Sequence, residues 1–194
     1  MRLRFVGYLW VLFLAWGTFP TYAQEGKQRG KMDVSAGVGI AIVGDGIGGT
    51  FYLTGALRYF VTENIAVEGE VGYWRKSYTI ELFDPFEGTI RGEIPARDLT
   101  IGVNFLYTLP TRRTGFDVFA GVGVGINFQK ISASVRGVGF AAEIVSVSET
   151  DASLRLLGGI QVPMGQNMTV FGIIRYDVSG PSVFKLYGGF RYIL

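Results

Sequence analysis

The sequence predicts an all-β protein, an eight-stranded antiparallel up-and-down transmembrane β-barrel. Three observations carry this prediction. Eight segments alternate between apolar and other residues with a period of two, which is typical of β-strands. Within these segments, the apolar parity carries no charged residue. The two long connections fall at the same end of the predicted barrel, and the other end has short turns only, which is the pattern of outer-membrane barrels.

The N-terminal segment has the features of a secretory signal peptide. Two arginines precede an apolar stretch of 12 residues, and Thr21-Tyr22-Ala23 fits a small-x-small cleavage site. Twelve apolar residues are too few to span a bilayer as a helix, and an uncleaved anchor is the alternative. The expected organisation is a cleaved signal peptide at 1–23, a periplasmic leader at 24–32 and an outer-membrane barrel domain at 33–194.

Alternating segments follow the leader in regular order. They cover 34–42, 51–59, 65–73, 99–109, 116–128, 152–162, 170–178 and 184–194. The two long connections, 77–97 and 130–150, keep some alternation. They are therefore expected either to extend their strands beyond the membrane or, for 132–147, to add a membrane hairpin that makes ten strands.

The two parities of the segments indicate which side faces lipid. The polar parity is rich in glycine, which suits a narrow interior better than a water-facing surface. A secreted soluble barrel that binds a ligand inside is the alternative. Aromatic residues of the apolar parity lie at segment ends, as expected for girdles at two membrane interfaces. These interface aromatics are Phe51, Tyr59, Tyr73, Tyr107, Phe116, Phe128, Tyr176, Phe184 and Tyr192.

Charged residues of the polar parity are expected to point into the lumen. Eight strands enclose a space that side chains can just fill, and buried charges are costly unless they pair. We therefore expect a plug of ion pairs, with a narrow channel for ions or small apolar molecules as the alternative. The expected network consists of Arg58, Glu68, Glu70, Asp117 and Arg191 toward the periplasm, and Arg155, Arg175, Asp177 and Lys185 toward the outside.

Composition argues against several other functions. The chain has no His and no Cys, so a metal centre built on those residues and a disulfide framework are excluded. A nucleophilic serine would lack its usual base, and Glu68 and Glu70 should be held ionised by neighbouring arginines. The mature net charge is near zero, which gives no bias toward nucleic acid. Gly44–Gly49 matches G-x-G-x-x-G, but a strand follows it rather than a helix, so a surface hairpin is expected. We expect no enzyme activity and no cofactor.

Residues near the predicted outer rim are candidates for external contacts. Arg75 and Lys76 lie just above the outer girdle, where they are expected to contact lipopolysaccharide phosphates or to snorkel at the interface. Two carboxylates in the next loop suggest a cation site, and three loop aromatics suggest either an adhesive surface or loop caps. These residues are Asp84 and Glu87, and Phe83, Phe86 and Phe140.

The signal peptide, the eight strands and the alternating terminal aromatics resemble the small outer-membrane β-barrel superfamily. It includes OmpA-like transmembrane domains, OmpX, opacity-type proteins and OmpW. The strand–turn–strand at Phe51–Trp74 is especially similar, and the resemblance covers 33–194. It implies an outer-membrane monomer among lipid and lipopolysaccharide, with a structural or adhesin-like role and an extracellular partner at the outer loops. It also implies that the barrel-assembly machinery reads Phe190, Tyr192 and Leu194, although the family usually ends in Phe.

Overall fold

Eight antiparallel strands form one closed barrel in the computed structural model. It describes residues 29–44, 48–84, 88–109, 115–137, 140–178 and 182–194, with the side chains of 48, 78–93 and 133–145 left out. The signal peptide and most of the leader lie outside the described residues. The strands are β1 (Met32–Val43), β2 (Gly48–Phe60), β3 (Ile65–Asp84), β4 (Gly88–Leu109), β5 (Asp117–Gly137), β6 (Phe140–Pro163), β7 (Met168–Val178) and β8 (Val183–Ile193).

The last strand closes the barrel against the first. The pairing of β1 with β8 runs from Asp33 opposite Ile193 to Val43 opposite Val183. The amide of Leu194 also donates to the carbonyl of Met32 at 2.8 Å. Because an open sheet edge would leave backbone groups unpaired in lipid, this seam explains why the final segment alternates like a strand. The predicted eight-stranded barrel is confirmed.

Side chains alternate between a filled interior and an apolar outer face. In β1 every second residue is buried except half-buried Gly39, whereas Val38 on the other parity is 54% exposed. The same alternation continues around the barrel, so Val, Ile and Leu cover the outside and polar residues the inside. In the described part of the chain, no helix is long and apolar enough to cross a membrane.

Glycines of the inward parity make room for large side chains and close strand contacts. A Cβ on Gly72 would lie 2.2 Å from the Tyr52 hydroxyl, and one on Gly102 would lie 2.0 Å from the Arg155 guanidinium. At the seam, a Cβ on Gly189 would lie 2.0 Å from the carbonyl oxygen of Ala36. The glycine-rich polar parity therefore reflects a crowded lumen.

Four consecutive strands are much longer than the rest. β3 to β6 have 20, 22, 21 and 24 residues, whereas the other strands have 11 to 13. β3 pairs with β4 as far as Asp84 opposite Gly88, and β5 pairs with β6 as far as Gly137 opposite Phe140. The two long connections thus extend existing strands, and the ten-strand alternative is wrong. We call the extension the raised sheet (75–84, 88–97, 130–137 and 140–153).

Height differs strongly around the barrel as a result. The last pair between β2 and β3 joins Tyr52 to Trp74, so ten residues of β3 continue beyond its pairing with β2. At about 3.3 Å per residue this amounts to roughly 30 Å along the strand. The barrel therefore has a low side, made by β1, β2, β7 and β8, and a tall side that carries the raised sheet.

Candidate functional site: the lumenal charge network

A first group of charges fills the lumen near the chain termini, and we call it the lower cluster. Arg58 lies opposite Glu68 in the register and binds its Oε2 through Nη2 at 2.7 Å and Nε at 3.0 Å. Arg191 places Nη2 3.6 Å from the same Glu68 oxygen and Nε 3.3 Å from Asp33 Oδ1. It also donates to Gln161 Oε1 at 2.8 Å. Two arginines thus share two carboxylates and one amide.

A second group, the upper cluster, lies on the side of the raised sheet. Arg175 forms ion pairs with Glu70 and, from Nε, with Asp177 Oδ1 at 2.8 Å. Lys185 Nζ lies 2.7 Å from Asp177 Oδ2, and the Tyr52 hydroxyl donates to Glu70 Oε1 at 2.8 Å. Each carboxylate therefore has at least two partners. Such coordination is what a buried charge requires to be stable.

Aromatic rings in the lumen also face the cations. Lys185 Nζ lies 4.9 Å from the centroid of the Tyr52 ring, and the Arg191 guanidinium lies 4.9 Å from that of Phe171. The Arg58 guanidinium is 5.3 Å from the Phe119 ring. Cation–π contacts at these distances are attractive and help to hold the buried bases in place. These inward aromatics carry no separate signal in the sequence, because aromatic residues also form the girdles.

A single amide joins the two clusters. Asn104 Nδ2 donates to Glu68 Oε1 and to Glu70 Oε2, both at 3.2 Å. Between the clusters lies a cavity of about 10 Å³, lined by both glutamates, Tyr187 and Arg191 among others. That volume has room for about one water molecule.

Arg155 and Asp117 differ from the other predicted charges in their described surroundings. Arg155 is fully buried opposite Asp177 in the register, but within the described residues its guanidinium nitrogens make no hydrogen bond. Asp117 is half-buried and accepts a long 3.5 Å contact from Gln161 Nε2. The other seven predicted charges are buried and ion-paired.

Two lumenal acids were missed in the sequence. Asp33 binds Arg191, and Asp98 accepts hydrogen bonds from Trp74 Nε1 and Thr100 Oγ1, both at 3.0 Å. Each acid directly precedes an alternating segment predicted from the sequence, 34–42 or 99–109, and occupies a position whose side chain faces inward. Extending the period-two pattern by one residue would have found them.

Comparison with known proteins identifies the family. A model of the outer membrane protein β-barrel domain matches residues 11–192. The chain belongs to this family. An outer-membrane location follows from membership. No curated protein sequence matches the chain.

Solved structures of this family's fold resemble the chain at low identity. Neisserial surface protein A has a TM-score of 0.57 and 17% identity, covering 87% of this chain and 99% of that one. OprG from Pseudomonas aeruginosa has a TM-score of 0.58 and 11% identity, covering 87% and 98%. Ail, the attachment invasion locus protein of Yersinia pestis, has a TM-score of 0.50 and 19% identity, covering 84% and 99%. At these identities the likeness shows the shared fold alone.

The outer face of this outer-membrane barrel carries nearly all the aromatics singled out in the sequence. Phe116 is the exception, since it precedes β5 and is half-buried. Exposed, outward-facing aromatics are Phe51, Tyr59, Tyr73, Tyr107, Phe128, Tyr176, Phe184 and Tyr192. Phe190 and Leu194 share that face and are 59% and 68% exposed.

Candidate residues of the outer loops are not placed. The side chains of Phe83, Asp84 and Phe140 lie outside the described residues, as do Phe86 and Glu87. Residues 45–47 of the glycine motif also lie outside them. Among the described residues, no group of three or more acidic side chains is arranged to hold a metal ion.

Proposed function

We propose that this protein is a structural outer-membrane barrel with a plugged lumen, which acts outside the cell through its raised sheet. The termini then lie in the periplasm, and the long strands project outward. The observation that carries the proposal is the division of the molecule into a lumen filled by paired charges and a sheet that extends well beyond the closed barrel. No catalytic role is proposed, because the chain lacks the histidine that usually activates a serine.

The lower and upper clusters support a plug. A passing ion would have to separate pairs such as Arg58–Glu68 and Arg175–Glu70, whose side chains are almost completely buried. Leaving one partner of such a pair uncompensated costs about 3–5 kcal/mol. A 10 Å³ cavity between the clusters offers no alternative path for a hydrated ion.

The raised sheet supports a role in surface contact. Ile131 and Val147 lie on the face of β5 and β6 that is turned toward the lumen within the closed barrel. They are nevertheless 42% and 53% exposed, because the opposite wall of the barrel ends below them. The two residues are paired directly across β5 and β6, and contiguous exposed apolar surface is a feature of interaction sites. In the described chain, two strand segments pair with a neighbouring strand on one side only. They are β3 beyond Trp74 and β6 before Leu154. The name of Ail, an attachment invasion locus protein, fits such a role.

We further propose a monomer inserted by the barrel-assembly machinery. Phe190, Tyr192 and Leu194 lie on the outer face of β8, where a factor that handles the unclosed barrel can reach them. This rests on the family's use of the terminal strand as an assembly signal.

The refolded chain is expected to be silent in a planar bilayer across a range of voltages, because paired charges fill its lumen. Heat-modifiable gel migration first confirms that the barrel has formed. Reproducible conductance steps that change on substitution of Arg58, Glu70 or Arg175 would refute the plug. They would make the protein a narrow channel instead.

Removal of the upper part of the raised sheet is expected to leave the barrel intact. Residues 79–93 and 133–145 are replaced by Asn-Gly turns, which suit two-residue hairpins between Tyr78 and Ile94 and between Ser132 and Ser146. The unfolding midpoint should stay close to that of the full chain, since both clusters and the seam are retained. Cells that display the shortened chain should adhere less to collagen, serum protein and epithelial cells than cells that display the full chain. Loss of folding, or equal adhesion on all three, would contradict the surface role.

A further inference from the structure

Three cations lie side by side on the outer face, just above the aromatic girdle. Arg75 is opposite Arg97 on β4, and Arg97 is opposite Lys130 on β5. The next outward-facing residues toward the barrel on the same three strands are Tyr73, Leu99 and Phe128. Tyr73 is opposite Leu99, and Leu99 is opposite Phe128. We call Arg75, Arg97 and Lys130 the basic row. It crosses three adjacent strands, so it spans about 10 Å.

This arrangement is unfavourable without a counter-ion. Side chains directly opposite across strands have Cβ atoms about 4.5–5.5 Å apart, and like charges there are destabilising. Among the described residues, the side chains of the basic row make no ion pair or hydrogen bond. Their described outward-facing neighbours are uncharged: Tyr73, Ser77, Pro95, Leu99, Phe128, Ser132 and Ser148.

Lys76 does not belong to the row. It follows Arg75 and therefore has the parity of buried Trp74, which faces the inside of the barrel wall. Of the adjacent pair singled out in the sequence, only Arg75 points toward lipid. Its neighbours in space, Arg97 and Lys130, are far away in sequence and become visible only through the strand register.

Among the described residues, no such row of outward-facing cations lies at the other rim of the barrel. Beyond the girdle residues Tyr59, Tyr107 and Tyr192, the next outward positions are occupied by Val61, Leu109 and Leu194. General snorkelling would place cations at both interfaces. A row of three outward-facing cations on neighbouring strands, with no counterpart in the described part of the other rim, favours a ligand on that side of the membrane.

We propose that the basic row binds the phosphate groups of a phosphorylated glycolipid in the outer leaflet, the lipid part of lipopolysaccharide. The proposal uses the orientation given under Proposed function and does not depend on the plug or on adhesion. At the height of the row, just outside the apolar band, lipid phosphates lie within reach of outward-facing arginine and lysine. Guanidinium groups bind phosphate oxygens through paired, charge-assisted hydrogen bonds.

The test measures how strongly the folded chain prefers phosphorylated lipid A over the same lipid without phosphates. Native mass spectrometry of the refolded protein, titrated with each lipid, gives the ratio of affinities. Each cation near a charged headgroup is worth about 1 kcal/mol, so single substitutions such as Arg97→Ser should reduce the ratio about fivefold. The triple variant R75S/R97S/K130S should reduce it about a hundredfold.

Matched controls separate the basic row from general charge. The double variant R29S/K31S removes two exposed cations at the other end of the barrel and should leave the ratio unchanged. Arg97→Lys keeps the charge and should retain most of the preference for phosphorylated lipid A. This variant keeps the proposal testable if the triple variant folds poorly. An unchanged ratio in R97S and the triple variant, or an equal loss in R29S/K31S, would overturn the proposal. Displacement of the lipid by millimolar inorganic phosphate would show a site for free phosphate instead.

Discussion

Replacement of Arg175 by glutamine is expected to destabilise the barrel by about 3–5 kcal/mol. Arg175 is the base that joins Glu70 to Asp177, and all three side chains are almost completely buried. Glutamine is shorter and uncharged, so Glu70 would lose its only ion-pair partner among the described residues. Lys185 would remain beside Asp177 and limit the damage there. Urea unfolding in detergent, followed by the gel migration of unheated samples, measures the loss.

Arg155→Gln is the matched control for this change. Both arginines are fully buried in the same part of the lumen, but the guanidinium of Arg155 makes no hydrogen bond within the described residues. Its removal takes away an incompletely compensated buried charge, so the loss should be less than half of that for Arg175→Gln. Equal losses would mean that total lumenal charge, rather than specific pairing, stabilises the barrel.

Substitution of Gly189 by alanine is expected to prevent closure of the barrel in a large fraction of molecules. The added Cβ would lie 2.0 Å from the Ala36 carbonyl oxygen and 2.7 Å from Gly37 Cα, both backbone atoms of β1. Neither atom can move without opening the pairing of β1 with β8. Overpacking usually costs about 1–3 kcal/mol, and more where the surroundings cannot yield. The folded fraction after transfer from urea into detergent measures the effect.

Gly69→Ala is the control for Gly189→Ala. Gly69 lies on the outer face of β3, and a Cβ there meets nothing within 4 Å. This variant should fold as well as the original chain, because the substitution adds no clash and restricts the unfolded state. If Gly189→Ala folds equally well, the seam is more adaptable than its geometry indicates.

Much of the architecture was predictable because a barrel strand has two faces with different surroundings. Period-two alternation placed Arg58 and Glu68 inside and Tyr73 outside, and it followed β3 and β4 into the connection that became the raised sheet. It could not say which strands would rise together or where each would end.

Contacts inside the lumen were much less predictable. Glu70 and Arg175 are 105 positions apart, and the sequence suggested different halves of the barrel for them. They meet because each strand is staggered relative to the next. Which residues of opposite walls lie at the same depth therefore depends on the sum of the registers of the strand pairs between them. Alternation gives the face of a residue, and it does not give this sum. The basic row escaped notice for the same reason.

The uneven height of the wall separates two parts of the chain that could otherwise interfere. The first and last strands and the closing seam belong to the low side, whereas the raised sheet is built from β3 to β6. Insertions or exchanges in the β3–β4 and β5–β6 hairpins therefore leave the strands that complete insertion unchanged. In the orientation proposed above, changes in these hairpins alter the surface outside the cell and leave the seam as it is, so the barrel is suited to displaying a foreign peptide there.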